Sequence, residues 1–186
     1  MPEHVILFAG PMGAGKTTAI RSLSEIEVVS TEAVNSDQAS NPKATTTVAL
    51  DYGEITLGPD DKVRLYGVPG QSRFDFMWEI LQQRAMGLIV LVNAEEPEPE
   101  RHVFEHLTAF AEVANRGGVI VGVTRFDRDR SDIGDRIVAT ARAVVPDRPT
   151  PVFAVDAREP DQMRMLLMSL VADIETRAAL AAMAGT

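Results

Sequence analysis

Gly10-Pro11-Met12-Gly13-Ala14-Gly15-Lys16-Thr17 decides the fold. It fits the eight-position pattern G-x-x-x-x-G-K-[ST] and follows the apolar run Val5–Ala9. Glycines at 10, 13 and 15 let the backbone wrap with its N–H groups inward. Those donors and the start of the following helix form a nest for a phosphate group. Lys16 is expected to set a point charge between β- and γ-phosphates, and the Thr17 hydroxyl to coordinate Mg2+. With Ala14 and Thr18, these residues are the candidate phosphate-binding set. A strand before the motif and a helix after it separate it from an incidental glycine turn. The cradle points to a nucleoside triphosphate, but alone it does not separate a kinase from an ATPase or a GTPase.

Outward from this loop, short continuous apolar runs recur at Val5–Ala9, Leu88–Val92, Val119–Val123 and Val152–Val155. Unbroken runs of this length suit strands buried on both faces of a parallel sheet. Helical spacing lies between them. Val103, Leu107, Phe110 and Ala114 form one face behind Pro99, and Met163, Leu166, Leu167, Leu170 and Ile174 do so behind Pro160. A further helix is expected after Lys16 and another over 132–144. Val48, Leu50, Tyr52, Ile55 and Leu57, then the turn Gly58-Pro59-Asp60-Asp61, then Val63 and Leu65, read as a hairpin. The expectation is one domain over residues 1–186: a three-layer α/β sandwich with a mostly parallel sheet and one antiparallel edge strand. Glu95–Glu100 reads as a solvated acidic turn.

Composition narrows the function. With 18 basic against 27 acidic side chains, the net charge of −9 argues against a nucleic-acid binder. No apolar run reaches the ~18–20 residues that cross a bilayer. Cysteine is absent, which excludes disulfides, thiolate metal sites, prenylation and palmitoylation. Pro2 occupies the position a myristoylated glycine needs, and Met1-Pro2-Glu3-His4 lacks the basic start of a cleaved signal. No lipid anchor or membrane span is therefore expected, and the protein is read as cytoplasmic.

Three further segments address the base and the chemistry. Thr124-Arg125-Phe126-Asp127 follows the strand Val119–Val123 and resembles the N/T-K-x-D motif of GTPases, whose Asp accepts hydrogens from guanine N1 and N2. Adenine offers no such pair of donors, and a buried carboxylate without them is costly. Arg125 stands where Lys is usual; its planar head can also stack on a base. Leu65-Tyr66-Gly67-Val68-Pro69-Gly70-Gln71 resembles the D-x-x-G-Q segment, in which the Gly amide senses the γ-phosphate and the Gln orients the attacking water. Gly67 replaces the Asp that normally supports the metal; Asp51 is one possible substitute. Thr47 is the candidate for a second hydroxyl on Mg2+, with Thr46 the close alternative. Val155-Asp156-Ala157 falls where GTPases carry S-A-K, and there the resemblance implies an Ala157 amide that donates to guanine O6.

On these residues the chain resembles bacterial Ras-like small GTPases of the gliding-motility MglA and conservon type, over roughly residues 5–179. Leu65–Gln71 carries most of the likeness, because that branch also lacks the Asp and reads V-P-G-Q or T-P-G-Q. The resemblance implies a Ras-like P-loop fold, bound GTP or GDP with Mg2+, catalysis by Gln71 and Lys16, and a roadblock-type regulatory partner. It also implies that an intrinsic arginine finger is missing, since Thr46 stands where the motility proteins carry Arg. Turnover without a partner is then expected to be slow. Phe74, Phe76, Met77 and Trp78 cannot all face inward on one helix, so some are expected on a partner surface. A nucleotide-binding scaffold without hydrolysis and a P-loop kinase using Arg128 and Arg130 are the alternatives. His102-Val103-Phe104-Glu105-His106 also fits H-x-x-E-H. Catalytic zinc wants a third protein ligand, however, and the one remaining histidine is His4.

Overall fold

A computed structural model describes residues 4–30, 50–59, 61–69, 75–127, 129 and 131–184. The elements in chain order are β1 (His4–Ala9), α1 (Lys16–Leu23), β2 (Val29–Ser30), β3 (Asp51–Gly58), β4 (Asp61–Gly67) and α2 (Asp75–Arg84). There follow β5 (Ala85–Asn93), α3 (Pro99–Ala109), α4 (Ala111–Arg116), β6 (Gly118–Thr124), α5 (Ser131–Val144), β7 (Val152–Val155) and α6 (Pro160–Ala184).

The strands form one sheet in the order β2-β3-β4-β1-β5-β6-β7. From β4 to β7 all pairings are parallel, whereas β3 runs antiparallel to β4 and β2 antiparallel to β3. The four apolar runs become β1, β5, β6 and β7; burial on both faces accounts for the lack of alternation in β1, β5 and β6, whereas β7 lies at the sheet edge with Ala154 exposed. One detail differs from the sequence reading. The antiparallel strand β3 is not the outermost one, because β2 covers its free edge. Two exposed residues carry no periodicity, so β2 gave no signal.

Two cores flank the sheet. One packs Ile6, Phe8, Ile20, Leu65, Leu91, Ile120, Leu166 and Leu170 between the sheet and α1 and α6. The other packs Leu7, Leu88, Val90, Val103, Leu107, Phe110, Val121 and Ile137 between the sheet and α3, α4 and α5. The expected stripes are the buried ones: Val103, Leu107, Phe110 and Ala114 on one side, Met163, Leu166, Leu167 and Leu170 on the other. The stripe behind Pro99 is nonetheless split. At Phe110 the backbone leaves the helical well (φ −104°, ψ 27°), and α4 turns in to lie on β5 and β6. Fully buried Phe110 stacks on Trp78 of α2, with ring centroids 5.0 Å apart. That contact anchors α2 to the second core.

Phe110→Ala removes both the stacking partner and a large core volume. It should cost about 3–5 kcal/mol of unfolding free energy. Denaturant unfolding followed by the fluorescence of Trp78, the sole tryptophan, reads this as a lowered midpoint.

Candidate functional site

The loop between β1 and α1 has the geometry of a phosphate cradle. Gly10, Gly13 and Gly15 hold φ of 142°, 81° and 98°, conformations that L side chains avoid. At Gly10 the need is absolute: a Cβ there would meet the Leu91 carbonyl oxygen at 2.0 Å. Gly15 caps α1, so the first-turn amides of 16–18 open toward the loop. Thr124 ties the loop to the sheet, its hydroxyl lying 3.2 Å from both the Ala14 and Val92 carbonyl oxygens. The Lys16 ammonium donates to the carbonyls of Gly10 (2.7 Å) and Pro11 (2.8 Å). Desolvation lowers its pKa to about 8, opposed by the attraction of the Asp51 carboxylate.

Asp51 is the residue the motif reading left open. The Thr17 hydroxyl donates to Asp51 Oδ2 at 2.5 Å, and the Ser30 hydroxyl to Oδ1 at 2.6 Å. Asp51 is paired with Gly67 across β3 and β4. A Cβ on Gly67 would lie 2.9 Å from Ile20 Cδ1, 3.0 Å from Asp51 Cβ and 3.1 Å from Asp51 Oδ2. A carboxylate at 67 and one at 51 thus compete for one space, and here the neighbouring strand supplies it. A hydroxyl and a carboxylate at hydrogen-bonding distance beside a phosphate cradle are hard oxygen donors that fit Mg2+, which keeps several waters and needs only one or two carboxylates.

At the other end of the cleft a cavity of about 460 Å3 adjoins the loop. Gly13, Gly15, Thr18, Thr124, Arg125, Asp156 and Ala157 are in its wall. Ala157 is packed against the loop: its carbonyl accepts from Ser22, and its Cβ lies 3.1 Å from where a Gly15 side chain would begin. The Asp156 amide donates to Gln162, and its carboxylate is gripped by Arg158 through Nε (2.9 Å) and Nη2 (2.6 Å), which lowers its pKa to about 2. Arg125 has φ 52°, an uncommon conformation for a side-chain-bearing residue, and its guanidinium pairs with Glu95 at 3.2 Å. The acidic turn therefore takes part in the site rim. The cavity wall stops at Phe126. Asp127 is the next residue, exposed, with Oδ1 accepting the Asp129 amide at 3.1 Å, so its carboxylate is engaged in a local Asx turn.

Not every candidate is placed. Thr46, Thr47, Gly70, Gln71, Phe74, Arg128 and Arg130 lie outside the described residues, as do the side chains of Phe76 and Met77. Trp78, counted among candidates for an exposed partner surface, is buried at 9% exposure against Phe110 and His106. Four bulky residues do not all fit on one buried face, and this one takes the inward place. Its neighbour Ile80 is 62% exposed. The H-x-x-E-H pattern is structural: buried His106 donates Nδ1–H to the His102 carbonyl at 2.8 Å. Among the described residues no group of three or more His, Cys, Asp or Glu side chains is gathered as a metal-ion cage.

Over residues 26–142 the chain matches the family described as conserved hypothetical ATP binding protein. It belongs to this family. The matched segment begins after the phosphate loop and takes in both Asp51 and the Thr124–Asp127 turn. Two relatives share part of the chain. Intraflagellar transport protein 22 of Chlamydomonas reinhardtii is 29% identical over 118 residues, 62% of this chain and 58% of its own. An uncharacterized protein of Methanocaldococcus jannaschii is 30% identical over 95 residues, 50% of this chain and 53% of its own. The chain thus spans a little over half the length of these curated relatives. Family, fold and loop geometry together make this a nucleotide-binding P-loop protein.

Two outcomes follow from the geometry. A polyphosphate favours charged Lys16, so a lysine titrating near 8 in the free protein takes up a proton on binding at higher pH. Nucleotide affinity should be flat below pH 8 and fall as pH rises above it, by up to about tenfold per unit. Calorimetry in buffers of different ionisation enthalpy should detect the proton uptake. Asp51→Ala should weaken nucleotide binding about tenfold or more in Mg2+, and by much less in EDTA. Gly67→Asp should not rescue Asp51→Ala, because Ile20 still crowds position 67. Equal losses with and without the metal would make Asp51 a mere brace of the loop.

Proposed function

We propose that this P-loop protein binds GTP in preference to ATP, hydrolyses it slowly, and signals its nucleotide state to a protein partner, in the manner of the MglA and conservon branch of small GTPases. The observation that supports the reading is the position of Thr124–Phe126: the turn leaves the C-terminal end of β6, pinned by Thr124 to the phosphate loop, in the wall of the cavity that adjoins it, and Asp127 follows directly at the rim. A purine held there has its polar edge next to the loop that bears Asp127 and near Ala157. Rotation of the exposed Asp127 side chain out of its single Asx contact costs about 1 kcal/mol, less than two hydrogen bonds from guanine to a carboxylate return.

The chain's own groups then have distinct tasks. The loop amides and Lys16 bind the β- and γ-phosphates and balance charge as it builds on the transferred group. Mg2+ would be held by the Thr17 hydroxyl with the Asp51 carboxylate in support and Thr47 as the second hydroxyl, and when bound it would supply neutralisation of the phosphate charge. Gln71 orients the attacking water, and the Gly70 amide reads the γ-phosphate. With Thr46 where a catalytic Arg would stand, a stabilising cation worth about 10³–10⁵ in rate is missing, which is the reason for slow turnover. The partner, of roadblock type, meets the segment around Phe74 and Phe76 and the outer face of α2, where Ile80 is exposed. Trp78 serves that surface from beneath. We place the protein in the cytoplasm; no described helix is long and apolar enough to cross a membrane.

A nucleotide-holding scaffold without hydrolysis is the second reading, favoured by Gly67. Single-turnover measurement on bound GTP separates the two: persistence of GTP for many hours with its partner present selects the scaffold. For the base, unlabelled GTP should displace a fluorescent GTP analogue at least about a hundredfold better than ATP. Asp127→Asn should shift preference toward xanthosine triphosphate. Equal competition by ATP would sink the guanine assignment.

A further inference from the structure

We propose that the outer face of α6 is a docking surface for a second copy of this chain, joined to it as an antiparallel helix pair. α6 runs for 25 residues, and one stripe of it, Met163, Leu166, Leu167 and Leu170, is buried on the sheet. The helix leaves the sheet near Ile174, whose side chain reaches Gly87 and Gly118 at the starts of β5 and β6. That edge is the one away from the phosphate loop, because α6 begins beyond the end of β7 and returns along the sheet. Past Arg177 every described side chain is exposed, Leu180 at 61% and Met183 at 75%.

On the side of α6 opposite the buried stripe lie Met168, Ala172, Glu175, Thr176, Ala179 and Met183. Their spacing puts them on one face, and all six are exposed. A helix apolar on two opposite faces is normally covered on both. This outer stripe is also a palindrome: about a point between 175 and 176, Met168 answers Met183 and Ala172 answers Ala179. A two-fold pair of identical chains requires such a patch, because a residue that meets a second one must in turn be met by it. Laid antiparallel about that point, two copies set Met168 against Met183 and Ala172 against Ala179. The alanines let the helix axes approach to about 8 Å, and the methionines fill the space at either end. An apolar cavity of about 260 Å3 adjoins the stripe, with Met168, Val171 and Ala172 in one wall and Leu57 and Val63 in the other. A second helix seated on Met168 and Ala172 covers that cavity too. The stripe holds one charged side chain, Glu175, so nothing in it selects an oppositely charged partner. Residues 168–183 give about 24 Å of helix in contact, which puts the total buried area near the lower end for specific interfaces, about 1,000–1,200 Å2. Association is therefore weak, with a Kd of about 0.1 mM.

The chain has no cysteine, so introduced single cysteines report the register without background. In the full-length, nucleotide-loaded protein, Ala172→Cys mixed with Ala179→Cys should form a disulfide heterodimer under mild oxidation. Its yield should exceed that of either variant alone by about fivefold or more, because the two copies of position 172 lie about 10 Å apart along the axis, beyond disulfide reach. Sedimentation velocity from about 5 µM to about 0.5 mM should show a monomer–dimer equilibrium. Glu175→Gln removes two like charges close to the two-fold axis and should tighten the pair a few-fold; Ala179→Glu should weaken it about tenfold or more. Nucleotide binding by every variant should match the parent and reports that it folds. The gain in Glu175→Gln is a result that misfolding does not produce. A monomer throughout that range, which would leave the stripe to a different protein, overturns the proposal. So does self-crosslinking of Ala172→Cys as efficient as the mixed pair, or a mixed pair no more efficient than Ala172→Cys with the off-stripe Ala178→Cys.

Discussion

The nucleotide end of this molecule depends on the hydrogen bond from Thr17 to Asp51. In a parallel sheet every strand delivers its last residue to the same edge, and that edge is where phosphate loops lie. β4 ends there at Gly67. β3 runs the other way, so its first residue, Asp51, arrives at the same edge in register with Gly67. An antiparallel strand thus lets a chain without a carboxylate at the end of β4 place one within 2.5 Å of the first turn of α1. The same closeness makes the two compete, since a side chain at 67 would press on the end of Ile20 and on Asp51. The bare Gly67 and the carboxylate of Asp51 are one structural fact seen from two strands.

The legibility of the fold follows from how much local sequence each element needs. Val119–Val123 and Leu88–Val92 are buried on both faces and announce themselves as unbroken apolar runs. The stripes of α3 and α6 are buried at the expected positions because a helix on a sheet has one way to face. β2 is legible only through its partner, since two exposed residues pair with Tyr52 and Asp51 without any pattern of their own. The inward turn of Trp78 depends on Phe110, thirty-two residues away, which no periodicity within α2 reports. At the site the same split holds. Glycines 10, 13 and 15 could be read because their backbone conformation demands glycine, whereas Asp51 was one candidate among many acids until strand register paired it with Gly67.

The base end shows a different constraint. Arg125 adopts a left-handed conformation directly after β6, and this bends the chain so that Phe126 stays in the cavity wall while Asp127 moves past it. Such strain persists only where surroundings hold it. The holds are the Thr124 hydroxyl on one side and the Glu95 carboxylate on the other. The acidic turn at 95–100 is therefore tied to the cavity rim through Arg125, although its composition alone reads as solvent-facing.

A chain of net charge −9 that binds a polyphosphate needs an electrostatic explanation, and the geometry supplies one. A long nucleic acid runs across many Debye lengths, each about 8–10 Å at ordinary ionic strength, and so meets the acidic surface as a whole. A mononucleotide tail fits within one such length. What it meets is the set of loop and first-turn amides, which carry partial positive charge that no residue count registers, and one ammonium held at the loop by the Gly10 and Pro11 carbonyls. The Asp51 carboxylate lies close enough to raise the lysine's pKa against burial, and is satisfied by the Thr17 and Ser30 hydroxyls. Local dipoles decide what enters the cleft, and the net charge decides what stays off the remaining surface.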